Sequence, residues 1–229
     1  MKKHWNKVGK ETRIALLSVL VAGLVACSSP AEKANKYYEK GLALMEQGDL
    51  LKARIELQNA LQIKPELTGA WFALAQIAEQ QGDWEKLFSL LNKVADQDPR
   101  HLDTQIKLGR MLLAAGRLDK ALAASDATLL LAPNNAEVLG LRAGVLYKLG
   151  DTAGAVAQAN AALALSPGNI DALVVLATER LAANDAEKAI EYLDRGLKTN
   201  EKNIALQLIK VQALESLAQT DSSEAIFRK

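Results

Sequence analysis

The chain repeats itself every 34 residues, and this period constrains its fold more than any other feature. Glycine, or asparagine once, recurs at that interval at Gly48, Gly82, Gly116, Gly150 and Asn184. Proline recurs at the same interval at Pro65, Pro99, Pro133 and Pro167, and Glu201 stands where the next proline would be. Two independent markers in one phase predict an array of similar repeats, each stabilised by packing against its neighbours.

The residues between these markers predict two helices in each repeat. Apolar side chains three and four residues apart give each helix one buried stripe, which in the first helices includes Tyr37, Trp71, Leu74, Leu108, Leu139, Leu173 and Leu176. Small residues recur where helices must approach closely, at Gly41, Ala75, Gly109, Ala143 and Ala177 in the first helices and at Ala53, Ala121, Ala155 and Ala189 in the second. Leu87, Val94 and Thr128 are larger than this pattern expects, which predicts looser pairing of the second helices in repeats two and three.

The turn residues predict where each helix begins and ends. Glycine after the first helix can adopt the left-handed conformation that ends a helix, and Asn184 is one of the few other residue types that tolerate it. Aspartates suited to cap the second helix follow at Asp49, Asp83, Asp151 and Asp185. The prolines end the second helices, because a residue that precedes proline avoids helical geometry.

The combined pattern resembles the tetratricopeptide repeat (TPR), a helix–turn–helix unit of 34 residues. The resemblance extends from about Ala34 to the end of the sequence. It implies an all-α fold, a right-handed α-solenoid whose first helices line a concave face. The implied repeats are 34–67, 68–101, 102–135, 136–169 and 170–203, with a partial one at 204–229. Because Ile226 and Phe227 would lie in an unfinished second helix, we expect the sequence to be a fragment of a longer array.

The first 26 residues have the organisation of a secretory signal peptide. Five basic residues within 1–13 precede an apolar run at 14–25, and small residues follow. The run is shorter than the roughly 20 residues that span a bilayer, so a transmembrane helix is the weaker interpretation. The tetrapeptide Leu24–Cys27 resembles the bacterial lipobox, whose cysteine is acylated and becomes the first residue after cleavage.

Cys27 is the only cysteine of the chain, so it has no partner for an internal disulfide or a paired-cysteine metal site. The lipobox resemblance implies a signal peptide at 1–26, a lipidated linker at 27–33 and a membrane anchor of acyl chains. Ser28, rather than an aspartate, follows the cysteine. In the lipoproteins that the chain resembles, this favours the outer membrane, here on its periplasmic face. The alternative is an ordinary signal peptide with an incidental buried cysteine.

Charge and composition argue against nucleic-acid binding and against catalysis. Without residues 1–26 the chain has 23 basic and 26 acidic residues, a formal charge of −3, and lacks the basic stripe that nucleic acids require. Its histidines are His4, in the signal peptide, and His101, which we expect to be solvent-exposed in a turn. No metal-ligand spacing or phosphate loop is visible. We therefore expect no metal, no cofactor and no enzymatic activity, unless a catalytic domain lies beyond Lys229.

The concave face implied by the TPR resemblance is the candidate binding surface. Projection of the repeat places on it Tyr38, Leu42 and Met45; Phe72, Gln76 and Glu79; Ile106, Arg110 and Leu113; Gly140, Gly144 and Tyr147; and Val174, Thr178 and Leu181. This mixture of aromatic and aliphatic residues suits an extended peptide or an amphipathic helix. Aromatic and arginine side chains dominate binding energy at interfaces. The candidate partner-binding residues are Tyr38, Phe72, Gln76, Arg110 and Tyr147.

Some positions on this face have two interpretations. Ile106, Val174 and Leu181 could line the groove or pack against adjacent helices. Gly140 and Gly144 could leave room for a ligand backbone or for a neighbouring helix. Lys107 is the only basic residue at the positions that resemble the clamp of chaperone-binding TPR domains, so a carboxylate tail is not the expected ligand.

A signal peptide, lipobox and TPR array together predict a membrane-anchored scaffold that assembles an envelope secretion, polysaccharide-export or pilus complex. This arrangement resembles the TPR lipoproteins of exopolysaccharide export and protein sorting, and those that stabilise type IV pilus secretin assembly. The segment 31–34 with 37–59 favours the first group. The alternative is an adaptor or regulator of envelope enzymes such as peptidoglycan hydrolases or proteases.

Overall fold

A computed structural model of the chain describes the backbone of residues 29–227 and the side chains of residues 29–218. The signal peptide and Cys27 therefore lie outside the described residues. All regular structure within 29–227 is α-helical, which confirms the predicted all-α class. The helices are α1 (Pro30–Glu46), α2 (Leu50–Ile63), α3 (Thr68–Gln80), α4 (Trp84–Gln97), α5 (Leu102–Ala114), α6 (Leu118–Leu131), α7 (Ala136–Leu149), α8 (Thr152–Leu165), α9 (Ile170–Ala182), α10 (Ala186–Thr199) and α11 (Ile204–Phe227). None of the described helices combines the length and the apolar character needed to cross a bilayer.

The helices form two compact units, which we call the N-terminal unit (described residues 29–70) and the C-terminal unit (71–227). In the N-terminal unit α1 packs against α2, where Gly41 allows close approach. A Cβ at this position would lie 2.7 Å from Cγ of Leu57. Ala53 and Ala60 of α2 are fully buried, as expected where paired helices approach closely.

Helix α1 begins earlier than the sequence predicted. Ser29 and Glu32 form a capping box, in which the Glu32 backbone N–H donates to Ser29 Oγ (3.2 Å) and the Ser29 N–H donates to Glu32 Oε2 (2.8 Å). Pro30 follows at the first helical position, where its missing N–H costs nothing. Residues 30–33, which were predicted to be part of a linker, are therefore helical.

The turns between paired helices have the predicted conformation. Gly48, Gly82, Gly116, Gly150 and Asn184 all have positive φ, between 60° and 89°. The aspartates cap the second helices, for example through Asp151 Oδ1, which accepts from the Gly154 N–H at 2.9 Å. Repeat three is the exception, because Arg117 occupies the cap position and makes no side-chain cap bond.

The core of the C-terminal unit is built around the predicted small residues. Ala121, Ala155 and Ala189 of the second helices are fully buried, and so are Ala143 and Ala177 of the first helices. A Cβ at Gly109 would lie 2.7 Å from Cδ2 of Leu141 in the next repeat. The small residues therefore set the distance between neighbouring helices.

The larger residues in repeats two and three are nevertheless buried. Leu87, Val94 and Thr128 are at most 2% exposed. The Thr128 hydroxyl donates to the carbonyl oxygens of Ala124 (3.0 Å) and Ser125 (2.9 Å) within its own helix. These larger side chains therefore pack inside the structure, and any looser pairing of the second helices does not expose them to solvent.

Helix α11 differs from the earlier first helices. It runs unbroken for 24 residues, where the period predicted a turn near residue 218 and an unfinished second helix at Ile226 and Phe227. Ala218 stands where the earlier repeats have glycine or asparagine with positive φ. Because alanine does not readily adopt that conformation and favours helix, the helix continues.

Candidate functional site

The first helices of the C-terminal unit form one face of it. Helix α5 contacts α7, α7 contacts α9, and α9 contacts α11, while each of α5, α7 and α9 also packs against the second helix of its own repeat. We call the surface formed by α5, α7, α9 and α11 the first-helix face. It corresponds to the part of the concave face that the TPR resemblance implied for repeats three to six.

A cavity of about 500 Å³, the central cavity, lies on this face. Its walls are mainly apolar, and its lining includes Leu113, Gly144, Tyr147, Val174, Thr178 and Ile209. A second cavity of about 310 Å³, the end cavity, shares Tyr147 and Thr178 with the central cavity and extends to Leu181 and Gln212. Tyr147 therefore stands at the boundary of two adjoining cavities.

A third cavity of about 480 Å³, the Trp84 cavity, lies on the other side of Arg110. Trp84, Leu87, Met111, Ala114 and Ala115 form its apolar walls, and Glu79, Lys107 and Arg110 are its polar members. The indole of Trp84 is 62% exposed, although it is the first residue of a helix that otherwise packs into the core. The repeat pattern did not predict this cavity, because the pattern places only first helices on the concave face, and Trp84 and Leu87 belong to a second helix. The sequence feature that could have indicated the cavity is Trp84 itself, an apolar aromatic residue directly after the capping aspartate Asp83.

Arg110 connects three successive first helices. Its Nη2 and Nε donate to Asp171 Oδ2 of α9 at 2.6 and 3.0 Å, and Nη2 also pairs with Glu137 Oε2 of α7. Burial alone would lower the pKa of the Arg110 guanidinium, but the two carboxylates outweigh this effect and hold the pKa above its ordinary value. The guanidinium of Arg110, a candidate partner-binding residue, is thus paired with carboxylates of its own chain.

Gly140 makes room for a neighbouring segment of the chain. A Cβ there would overlap the Oδ1 atom of Asn169 and lie 3.1 Å from the Asp171 Cβ. The buried Asn169 side chain needs this place, since its Oδ1 accepts from the Ala172 N–H (2.9 Å) and its Nδ2 donates to the Ala136 carbonyl (3.0 Å). The small size of Gly140 therefore leaves room for the beginning of the neighbouring helix α9, and Gly140 also lines the central cavity.

Gly144 has a different environment. A Cβ there would lie 3.2 Å from a methyl carbon of Leu113, and the residue also lines the central cavity. Its small size thus brings α5 close to α7 and widens the cavity.

A second ion pair lies at the edge of the Trp84 cavity. Lys107 Nζ donates to both carboxylate oxygens of Glu79, at 2.6 and 2.8 Å, and joins α5 to the preceding repeat. The charge of Lys107 is therefore balanced by a carboxylate of the chain.

The histidine prediction was wrong in one respect. His101 is half-buried rather than solvent-exposed, and its ring packs against the predicted site residue Phe72 with 4.6 Å between ring centroids. His101 is also the N-cap of α5, where its Nδ1 lies 3.4 Å from the Thr104 backbone nitrogen and 3.0 Å from the Thr104 hydroxyl. The cap and the tilted contact between the two rings keep both aromatic groups from full exposure to solvent.

The structure places the other predicted residues as follows. Tyr38 belongs to the N-terminal unit, where a Cβ at Gly69 would lie 2.6 Å from its hydroxyl, and Gln76 is half-buried and lines none of the three cavities. Ile106 is 4% exposed and belongs to the core, which supports packing against adjacent helices over lining the groove. Of the five candidate partner-binding residues, Arg110 and Tyr147 line the cavities; the binding role of all five remains a prediction.

Among the described residues, no group of three or more His, Cys, Asp or Glu side chains is arranged to hold a metal ion. Two ion-pair clusters, Arg110 with Glu137 and Asp171 and Lys107 with Glu79, lie among cavities whose walls are mainly apolar. Such a surface can recognise a ligand by shape, apolar contact and charge.

Comparison with solved structures finds similar folds. The type IV pilus biogenesis factor PilW has a TM-score of 0.66 at 18% identity, covering 84% of this chain and 89% of its own. PilF of Pseudomonas aeruginosa has a TM-score of 0.62 at 18% identity, covering 86% and 90%. YrrB, described as a TPR protein with an unusual peptide-binding site, has a TM-score of 0.56 at 18% identity, covering 81% and 99%.

Comparison of sequences identifies the family. A search of curated proteins found no significant match. Two family models described as tetratricopeptide repeat do match: one covers residues 38–101, and the other covers 88–145 and 146–214. The chain belongs to the tetratricopeptide repeat family.

Proposed function

We propose that the first-helix face binds a segment of another protein, and that the chain acts as a non-enzymatic scaffold in an envelope assembly. One observation carries this proposal: the central, end and Trp84 cavities adjoin one another through Tyr147 and Arg110. Ligand sites are typically concave and mostly apolar, with a few polar groups that fix orientation. A row of such cavities along stacked helices suits a polypeptide segment better than a small molecule.

Three similarities support the proposed kind of partner. PilW, which shares the fold, is described as a type IV pilus biogenesis factor, and YrrB is described as having a peptide-binding site. The lipobox-plus-TPR arrangement also resembles lipoproteins of polysaccharide export and protein sorting. The proposed partner is thus a protein of a secretion, polysaccharide-export or pilus complex.

We further propose that acyl chains on Cys27 hold the protein on the periplasmic face of the outer membrane. Each buried methylene of an acyl chain contributes about 0.8 kcal/mol, so several chains together give stable attachment. Helix α1 begins at Pro30, and three residues of extended chain span at most about 11 Å. The anchor would therefore hold the N-terminal unit close to the membrane surface.

Crosslinking capture from the membranes of producing cells tests the scaffold. The wild-type chain is compared with a double variant, Tyr147→Ala and Thr178→Arg, which removes an aromatic wall and places a long cation in the central and end cavities. Leu130→Lys is the control, because Leu130 is 88% exposed on α6 and lines none of the three cavities.

We expect secretion, polysaccharide-export or pilus proteins to be captured by the wild type and the control and lost with the double variant. Capture of the same proteins by all three would place binding elsewhere. Capture of hydrolases or proteases alone would favour the adaptor function instead.

Metabolic labelling with palmitate tests the anchor. The wild type should incorporate the label and remain with the membrane fraction, whereas Cys27→Ala should remain unlabelled because no acyl acceptor is left. Equal labelling of both proteins would contradict the proposed anchor.

A further inference from the structure

The Trp84 cavity adjoins the first-helix face at Arg110, so that this face and its edge offer two separate apolar sites with a charged boundary between them. Arg110 lines both the Trp84 cavity and the central cavity. The walls beyond it are mainly apolar on both sides, with Leu87 and Met111 in the Trp84 cavity and Leu113 and Val174 in the central cavity, whose lining also includes Lys148 and Thr178. A ligand that used both cavities would have to cross Arg110 and its ion pairs.

The two cavities are similar in size, at about 480 and 500 Å³. Both fall within the roughly 300–1,000 Å³ of typical ligand pockets. Each therefore has room for one bulky apolar side chain together with adjoining backbone. A small molecule that filled one cavity would leave the other empty, whereas a polypeptide could occupy both.

The boundary carries more negative than positive charge. One guanidinium, Arg110, faces two carboxylates, and the side chains of Glu137 and Asp171 are 55% and 31% exposed. The nearby Lys107 adds no net charge because Glu79 pairs with it. A basic ligand residue at the boundary would complete the charge balance, and an acidic one would be repelled.

We propose that the ligand of the first-helix face is a polypeptide segment with two bulky apolar side chains and a lysine or arginine between them. One apolar side chain occupies the Trp84 cavity, and the other occupies the central cavity. The basic residue lies at the boundary, next to the exposed carboxylates of Glu137 and Asp171. This specificity rests on the proposed protein-binding function and adds the ligand's chemistry to it.

This specificity is tested by selecting peptides from a random displayed library for binding to the full chain in detergent. Four variants are selected in parallel with the wild type: Met111→Lys blocks the Trp84 cavity, Thr178→Arg blocks the central cavity, Glu137→Lys reverses the charge at the boundary, and Leu130→Lys is the matched surface control. Trp84→Ala is a fifth variant and a second change to the first cavity, and because Trp84 is 62% exposed its truncation leaves the core intact. Melting curves establish that each variant is folded.

Wild type and control should select peptides with the order apolar, basic, apolar. Met111→Lys and Thr178→Arg should each weaken binding of these peptides by about tenfold or more, which corresponds to about 1.4 kcal/mol. Each should abolish the preference at one apolar position only. Glu137→Lys should replace the basic preference with an acidic one.

The outcomes separate the specificity from the function on which it rests. Peptides with a single apolar residue, or with an acidic residue at the boundary of the wild type, would overturn the specificity and leave peptide binding intact. Peptides whose affinity is unchanged by all three cavity and boundary variants would overturn it as well. If no peptide is selected by any folded protein, the proposed protein-binding function itself fails.

Discussion

Arg117 occupies the helix-capping position at which the other complete repeats place an aspartate. Those aspartates accept a backbone hydrogen bond from the residue three positions on, as Asp83 does from the Lys86 N–H at 3.1 Å. Arg117 offers no acceptor, and α6 has no side-chain cap bond. A positive side chain at a helix N-terminus is also repelled by the partial positive charge that the helix dipole places there.

Arg117→Asp should therefore stabilise the protein. A capping side chain contributes about 0.5–2 kcal/mol, so we expect a gain of about 1 kcal/mol in the free energy of unfolding by chemical denaturation. Arg117→Ala is the control, since it removes the cation without adding an acceptor. Equal stability of the aspartate and alanine variants would show that the cap is not formed.

Gly140→Ala should destabilise the protein, whereas replacing a glycine by alanine inside a helix is usually stabilising. Alanine replacing glycine inside a helix normally stabilises by about 1 kcal/mol. At Gly140 the added methyl would displace the Asn169 carboxamide, which caps α9 and bonds to α7. Overpacking of this kind costs about 1–3 kcal/mol, and we expect a net loss in thermal unfolding.

Gly144→Ala is the matched comparison for this prediction. Its added methyl would meet only a rotatable methyl group of Leu113, at 3.2 Å. We expect a much smaller change in unfolding temperature. A stabilising Gly140→Ala would mean that the turn before α9 does not pack on α7 as described.

At the scale of helices, Arg110 links α5 to both α7 and α9. The glycines at 140 and 144 leave α7 without side chains at those points, so that the α8–α9 turn and α5 both lie close to it. The ion pairs are partly exposed, with 37% of the Arg110 and 31% of the Asp171 side chain accessible. Exposed pairs contribute little to stability, so the link orients helices more than it stabilises them.

A double-mutant cycle with Arg110→Gln and Asp171→Asn should show a coupling of about 0.5–1 kcal/mol in unfolding free energy. The coupling should decrease at high salt because the pair is partly exposed. In the control cycle Asp103→Asn replaces Asp171→Asn. Asp103 is an exposed carboxylate of α5 that does not bond to Arg110. A coupling as large with Asp103 as with Asp171 would contradict the described geometry.

The continuation of α11 follows from the same residue rule that ends the other first helices. Ala218 lacks the tolerance for positive φ that glycine and asparagine provide at the equivalent positions. The 34-residue period alone predicted a turn there, but the residue at the turn decides whether the chain can make it. Along α11, Ile204, Leu208, Val211 and Leu214 remain about half or more exposed.

For the molecule as a whole, the features set by single residues or by helical spacing were predictable from sequence. The turns at Gly82 and Gly150 and the burial of Ala121 and Ala155 follow from backbone freedom and from side-chain size. Contacts between repeats were not predictable in the same way. Arg110 pairs with Asp171, 61 residues away, and this contact depends on how far each stacked helix is displaced from the last.

The candidate site shows the same division. Tyr147 and Val174 were placed by the repeat pattern in a row that does line the central cavity. The Trp84 cavity combines residues of a second helix with residues of the next first helix, and the Phe72–His101 contact joins a helix to a capping position. Neither the cavity nor the ring contact could be predicted from the 34-residue period, because each depends on how two helices or turns are positioned relative to one another.

Site-specific photo-crosslinking tests the central claim, that the first-helix face binds another protein, most directly. A photoreactive amino acid replaces Tyr147 in one variant and Leu130 in the other, and both are irradiated in cells that produce the protein. A discrete adduct with another envelope protein at position 147, absent at position 130, is the predicted result. No adduct at position 147, or the same adduct at both positions, would contradict binding at this face.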